Sequence, residues 1–138
     1  MAANFTLGKH ERLKSKKLID LLFNQGKGFS IFPFKVLYHF SAMETNVNDS
    51  NLKFGVAVSS RHFKKAVDRN KVKRLTREAY RVQKNELREQ VKSNTKQLNV
   101  VFIYTAKEIP TFEMLNEKVI LIIHKLLAIV HEKNTANT

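Results

Sequence analysis

The sequence predicts an α/β (α+β) two-layer sandwich, with helices packed on a small central sheet. Three observations carry this. Residues Phe29–Phe40 alternate with period two, Leu98–Thr105 (LNVVFIYT) is a short run apolar enough for a central strand, and two longer segments carry apolar side chains at helical i, i+3, i+4 spacing.

The elements follow in chain order. Residues 1–14 are polar and basic and read as an irregular arm. Ser15 is a candidate N-cap for a short helix carrying Leu18, Ile19, Leu22 and Phe23, with Gly26 near its end. In Phe29–Phe40, Phe32, Phe34, Val36, Tyr38 and Phe40 share one face of a strand, and Lys35, Leu37 and His39 share the other. Pro33 places the start of that strand at an edge or bulge. Ser41–Asn51 is polar and reads as a loop, and Phe54–Ser59 as the next strand. A basic helix follows, extending to about Val91, with Val72, Leu75, Ala79 and Val82 as its core stripe. Ser93–Gln97 reads as a polar turn before the strand Leu98–Thr105. Pro110 and Thr111 open a last helix whose buried stripe is Phe112, Leu115, Val119, Ile122, Ile123, Leu126 and Val130. From Glu132 the tail is polar and expected to fray. The order is αβ(β)βαβα, or αβββαβα with the optional strand counted. At 138 residues, with no repeat or linker, it makes one domain spanning 1–138.

Charge is concentrated in the segment Arg61–Arg81. Nine cations (Arg61, Lys64, Lys65, Arg69, Lys71, Lys73, Arg74, Arg77, Arg81) face only Asp68 and Glu78, so this stretch holds +7 of the chain's +13. Asn70, Lys73, Arg74, Arg77 and Arg81 gather nearly opposite the apolar stripe. Like-charge i, i+4 pairs such as Lys73–Arg77 each cost roughly 0.2–0.5 kcal/mol in an isolated helix, and a polyanion offsets that cost. Lys and Arg neutralise phosphate. Asn70 adds a donor and an acceptor suited to a base edge or a 2′-hydroxyl, although it could equally cap the first turn.

Several classes are excluded or disfavoured. The chain has no Cys, hence no disulfide or thiolate metal site. The longest apolar run, Val119–Val130, is 12 residues and is broken by His124 and Lys125, short of the ~20 that cross a membrane. No membrane partner is expected, and a cytoplasmic location is. The five His fall singly, and the 12 Asp and Glu form no paired-carboxylate motif. A protein nuclease is therefore poorly supported. A DNA-binding regulator is disfavoured because no short recognition helix follows a compact turn.

Residues 66–78, AVDRNKVKRLTRE, resemble the signature helix of the bacterial ribonuclease P protein family, whose pattern reads Ala-x-x-Arg-Asn-Arg-x-Lys-Arg-x-x-Arg. Arg69, Asn70, Lys73, Arg74 and Arg77 match it, whereas Lys71 stands where that family usually has Arg. Residues 55–61, GVAVSSR, are similar to the strand and basic turn before that helix, with Ser60 where a second cation is common. The resemblance implies a left-handed crossover carrying the basic helix, and a sheet similar to a ribosomal-protein domain. It implies a subunit assisting a catalytic RNA in removing the 5′ leader of precursor tRNA, with Mg2+ held mainly by RNA and no catalytic residue in the protein. Arg61, Lys64, Lys65, Arg69, Asn70, Lys71, Lys73, Arg74, Arg77 and Arg81 would then bind RNA. Ile19, Phe23, Val36 and Tyr38 would line a cleft for the single-stranded leader, between the first helix and the sheet. Phe23 could instead be ordinary core. The alternative function is a ribosomal or RNA-chaperone protein with no enzymatic assembly.

Overall fold

The computed structural model describes residues 12–13, 16–42, 51–92 and 96–136. Ser15, most of the N-terminal arm, most of the 41–51 loop and residues 93–95 lie outside them. The elements are α1 (Lys16–Gln25), β1 (Lys27–Ile31), β2 (Phe34–Ala42), β3 (Leu52–Val58), α2 (Ala66–Lys92), β4 (Lys96–Tyr104) and α3 (Phe112–Ala136). The strands form one sheet in the order β1-β2-β4-β3. β1 and β2 are antiparallel, β2 and β4 antiparallel, and β3 and β4 parallel. The parallel neighbours β3 and β4 require a crossover, and α2 supplies it. β4 is central, as its apolar run predicts, and is buried from Gln97 through Phe102.

Residues 29–40, expected from the sequence to form one strand, are instead a hairpin. Phe32 and Pro33 make its two-residue turn, with Phe29 opposite Val36 and Ile31 opposite Phe34. The turn changes the parity of the alternation, which brings odd residues of β1 and even residues of β2 onto one face. Two strand boundaries move as well: β3 begins at Leu52 and β4 at Lys96. The Gln97 side chain is buried with its amide nitrogen donating to Asn99 Oδ1 at 2.7 Å, and Asn99 in turn donates to Ser41 Oγ at 2.9 Å, while Gln97 Oε1 finds no partner among the described residues. Paired amides can be buried at little cost.

One sheet face carries Phe34, Val36, Phe54, Leu98, Val100, Phe102 and Tyr104, and α2 and α3 pack on it. Phe54 and Tyr80 stack with ring centroids 3.7 Å apart, and Phe102 meets Phe54 edge-on at 4.9 Å. The α2 stripe differs from the expected one. Val72 and Ala79 are buried as expected and Leu75 is half-buried, but Val82 is exposed, and Thr76, Tyr80, Lys84, Leu87 and Val91 complete the buried face. Thr76 is satisfied by donating its hydroxyl to Val72 O at 2.8 Å. The α3 stripe is as predicted, with Phe112 half-buried. Thr111 caps that helix by accepting the Met114 N–H at 3.3 Å. α3 runs on to Ala136 rather than fraying at Glu132.

α1 lies on the opposite sheet face, where Leu18, Ile19 and Leu22 meet Leu37, Ala57 and Val101. Gly26 ends it. The Gly26 N–H donates to Leu22 O at 3.0 Å, and a β-carbon at that position would collide with the same carbonyl. No helix among the described residues is long and apolar enough to cross a membrane.

Candidate nucleic-acid interface

α2 begins at Ala66, so Arg61, Lys64 and Lys65 precede the helix rather than belonging to it. They project from a turn that the protein holds firmly. Phe63 N–H donates to Ser59 O at 3.1 Å, and the buried Phe63 ring lies 6.1 Å from that of Tyr104. The Tyr104 hydroxyl donates to Glu108 O at 2.7 Å; burial, then the Glu108 charge, pushes its pKa up to about 12, so it stays a donor at neutral pH. Arg61, Lys64 and Lys65 are all exposed beside this anchored ring.

Arg69 behaves differently from a simple phosphate ligand. One guanidinium nitrogen, Nη1, donates to Phe63 O at 2.8 Å and to Lys64 O at 2.9 Å, and the side chain is half-buried. It ties the basic turn to the first turns of the helix, while the guanidinium's remaining N–H groups keep donor capacity. Arg69→Ala is therefore expected to cost about 1–2 kcal/mol in stability, since hydrogen bonds from charged donors are the stronger kind. Urea unfolding at fixed salt measures this, and Lys71→Ala serves as the surface control.

Asn70, Lys71, Arg74 and Arg77 are exposed along α2, and Lys73 and Arg81 are half-exposed. Asn70 stands in the second turn, past any capping position, and makes no side-chain hydrogen bond among the described residues. Asn70 therefore does not cap the helix, and its amide is open to solvent. Arg81 Nε donates to Glu78 Oε2 at 3.1 Å and its Nη2 closes an ion pair with Oε1. That bond holds the Glu78 carboxyl below its usual range and raises Arg81. Glu78 therefore stays ionised and screens Arg81, leaving Lys71, Arg74 and Arg77 as the exposed cations of the stripe.

A groove of about 390 Å³ opens between α1 and the sheet. Ile19, Phe23, Leu13, Gly55, Ala57 and Val101 give it an apolar lining, and Arg12 and Arg77 add charge. Phe23 is 55% exposed, so it is groove surface and not core. Arg12 pairs with Phe54 in an isolated parallel bridge, and Leu13 N–H donates to Phe54 O at 2.9 Å, which fixes residues 12–13 against β3. The sequence alone does not reveal Arg12, because nothing in the polar arm signals that it pairs with a strand.

Val36 and Tyr38 do not join Ile19 and Phe23. Both lie on the face of β2 that meets α2 and α3, in line with Phe34, and Val36 is fully buried. Strand alternation decides this: Leu37, between them, is the residue that faces α1. Tyr38 is half-buried 6.2 Å from Phe29, and lines a separate hollow of about 480 Å³ with Lys27, Phe40 and Lys133. The four-residue cleft expected from the sequence is therefore divided between two faces of the sheet.

Residues 7–127 match the family model described as Ribonuclease P. The chain is 36% identical over 110 residues to the ribonuclease P protein component of Porphyromonas gingivalis, covering 80% of this chain and 78% of that one. It is 31% identical over 128 residues to that of Chlorobium phaeobacteroides, covering 88% of each. The structure of the RNase P protein from Thermotoga maritima superposes with a TM-score of 0.60 at 28% identity, over 83% of this chain and 96% of that one. The Staphylococcus aureus RNase P protein shares the fold, with a TM-score of 0.61 at 21% identity over 85% and 97%.

Proposed function

The chain belongs to the ribonuclease P protein family, the protein component of a ribonucleoprotein endoribonuclease that matures tRNA, and we propose that its share of the work is binding rather than bond cleavage. The basic turn and the outward stripe of α2 hold the catalytic RNA. The α1 groove holds the single-stranded 5′ leader of precursor tRNA, in the cytoplasm. The observation that carries this is Arg77. It lies on the cationic stripe and also lines the groove beside Phe23, so RNA held on the helix is continuous with a strand entering the groove. An apolar and aromatic floor beside cations suits bases that stack while their phosphates are neutralised.

Hydrolysis of the phosphodiester is assigned to the RNA, with Mg2+ held mainly there. Among the described residues, no three His, Asp or Glu side chains come together in a group able to hold a metal ion.

Phe23→Ala tests the groove. Precursor and mature tRNA differ in the leader alone, so the ratio of their affinities for the holoenzyme isolates it. Loss of one stacking ring should cost roughly 1–3 kcal/mol against the precursor and little against the mature product. Because Phe23 is more than half exposed, the variant should fold. An unchanged ratio in folded holoenzyme would remove Phe23 from the leader site.

A further inference from the structure

We propose that Phe32, at the tip of the β1–β2 hairpin, is an aromatic platform on which an unpaired base of the RNA subunit stacks. This extends the RNA interface from the recognition helix across the end of the sheet. The inference rests on the reading that the basic face of α2 holds that RNA.

Phe32 is 71% exposed and makes no ring contact among the described residues. Its tip is nevertheless anchored. Pro33 O accepts both the Thr105 N–H at 2.8 Å and the Thr105 hydroxyl at 2.9 Å, which docks the hairpin turn on the β4–α3 loop. The register sets Phe34 and Val58 opposite Tyr104 from either side, so this loop and the turn after β3 share one end of the sheet with the tip. β2 and β3 are two strand spacings apart, about 10 Å, so one RNA segment can span the tip and the turn.

The charge at this end selects the partner. Arg61, Lys64, Lys65 and Lys107 are exposed there; the acids at this end are Glu108 and, in the first turns of α2 and α3, Asp68 and Glu113. α2 and α3 both start at this end, so the positive ends of their dipoles add to the same field. An apolar protein surface would gain nothing from those cations. A polyanion with an accessible base gains from both, because stacking on an aromatic ring tolerates any base. The tip shares its end with the start of the recognition helix, whose first exposed cation, Lys71, meets the RNA subunit on that reading.

The chain has no Trp, so Phe32→Trp supplies a single fluorescent reporter at the platform. Its emission should be quenched when the RNA subunit is added. Phe32→Ala should weaken holoenzyme assembly about five- to hundredfold, with the salt dependence unchanged because no charge is removed. Assembly of Phe32→Ala at wild-type affinity, or a reporter that does not respond to assembly, would overturn the proposal. So would emission that changes with protein concentration alone, which would mean that copies of the chain meet at the tip. Equal quenching by precursor tRNA without the RNA subunit would assign the base to the substrate instead. Failure of the wild-type protein to bind the RNA subunit would reject the functional reading itself, and is distinguishable from all of these.

Discussion

Replacing Lys71, Arg74 and Arg77 together with alanine is expected to lower affinity for the RNA subunit roughly 100-fold near physiological salt. Each lost phosphate contact removes about 0.7–0.9 from the slope of log K against log salt, and near 0.15 M that amounts to a little over half a decade per contact. The wild-type slope, for five or so phosphates, should be about −3.5 to −4.5, and the variant should lose about 2–3 of it. All three side chains are exposed and lie outside the core, so the unfolding midpoint should hold or rise as like-charge repulsion is relieved. Salt titration of both proteins against the RNA subunit gives the two slopes. An unchanged slope would mean that these cations do not meet phosphate.

Phe54→Ala should destabilise the fold by about 3–5 kcal/mol, well beyond the loss expected for Arg69→Ala. The ring is 2% exposed, stacked on Tyr80 of α2 and met edge-on by Phe102 of β4. It is the joint through which the recognition helix is seated on the sheet. Thermal unfolding should shift down by on the order of 10 °C. RNA binding should fall only as the folded fraction falls, since Phe54 belongs to the core. Phe54→Leu, which keeps most of the volume, should recover much of the loss.

The parts of the fold that were legible in the sequence were those where a single physical rule dominates. The α3 stripe from Leu115 to Val130 is apolar throughout and the β4 run Leu98–Tyr104 is apolar but for Asn99, and burial follows. The α2 stripe was legible only in part, because polar types carry much of it. Thr76 bonds its own helix, Tyr80 stacks on Phe54, and Lys84 is buried. Val82 looked like core by residue type and is exposed by phase. The hairpin was hidden because Phe32 continues the alternation through a turn that reverses it.

The site divides in the same way. Spacing and charge give the cationic stripe only in part: Asn70, Arg74 and Arg77 are exposed as expected, Lys73 and Arg81 are half-buried, and Lys71 joins the exposed set. Two details of the site needed the structure: Arg69 turns inward onto Phe63 and Lys64 in the turn just before the helix, and Arg12 reaches the groove by pairing with Phe54, far along the chain. The resemblance supplied Val36 and Tyr38 for the leader, yet alternation on β2 puts both on the face with Phe34. Ile19 and Phe23 remain, joined by Arg77 from a helix far along the chain.

We propose a division of labour, with binding by this protein and cleavage by its RNA partner. The most direct test is leader removal from precursor tRNA at low Mg2+, by the RNA subunit with and without the protein and by the protein alone. Cleavage is expected from the RNA and protein together at a Mg2+ level where the RNA alone is nearly silent, with recovery of the RNA-only reaction as Mg2+ is raised, and none from the protein alone. Metal-dependent cleavage by RNA-free protein, lost on mutation of one of its acidic residues, would contradict it.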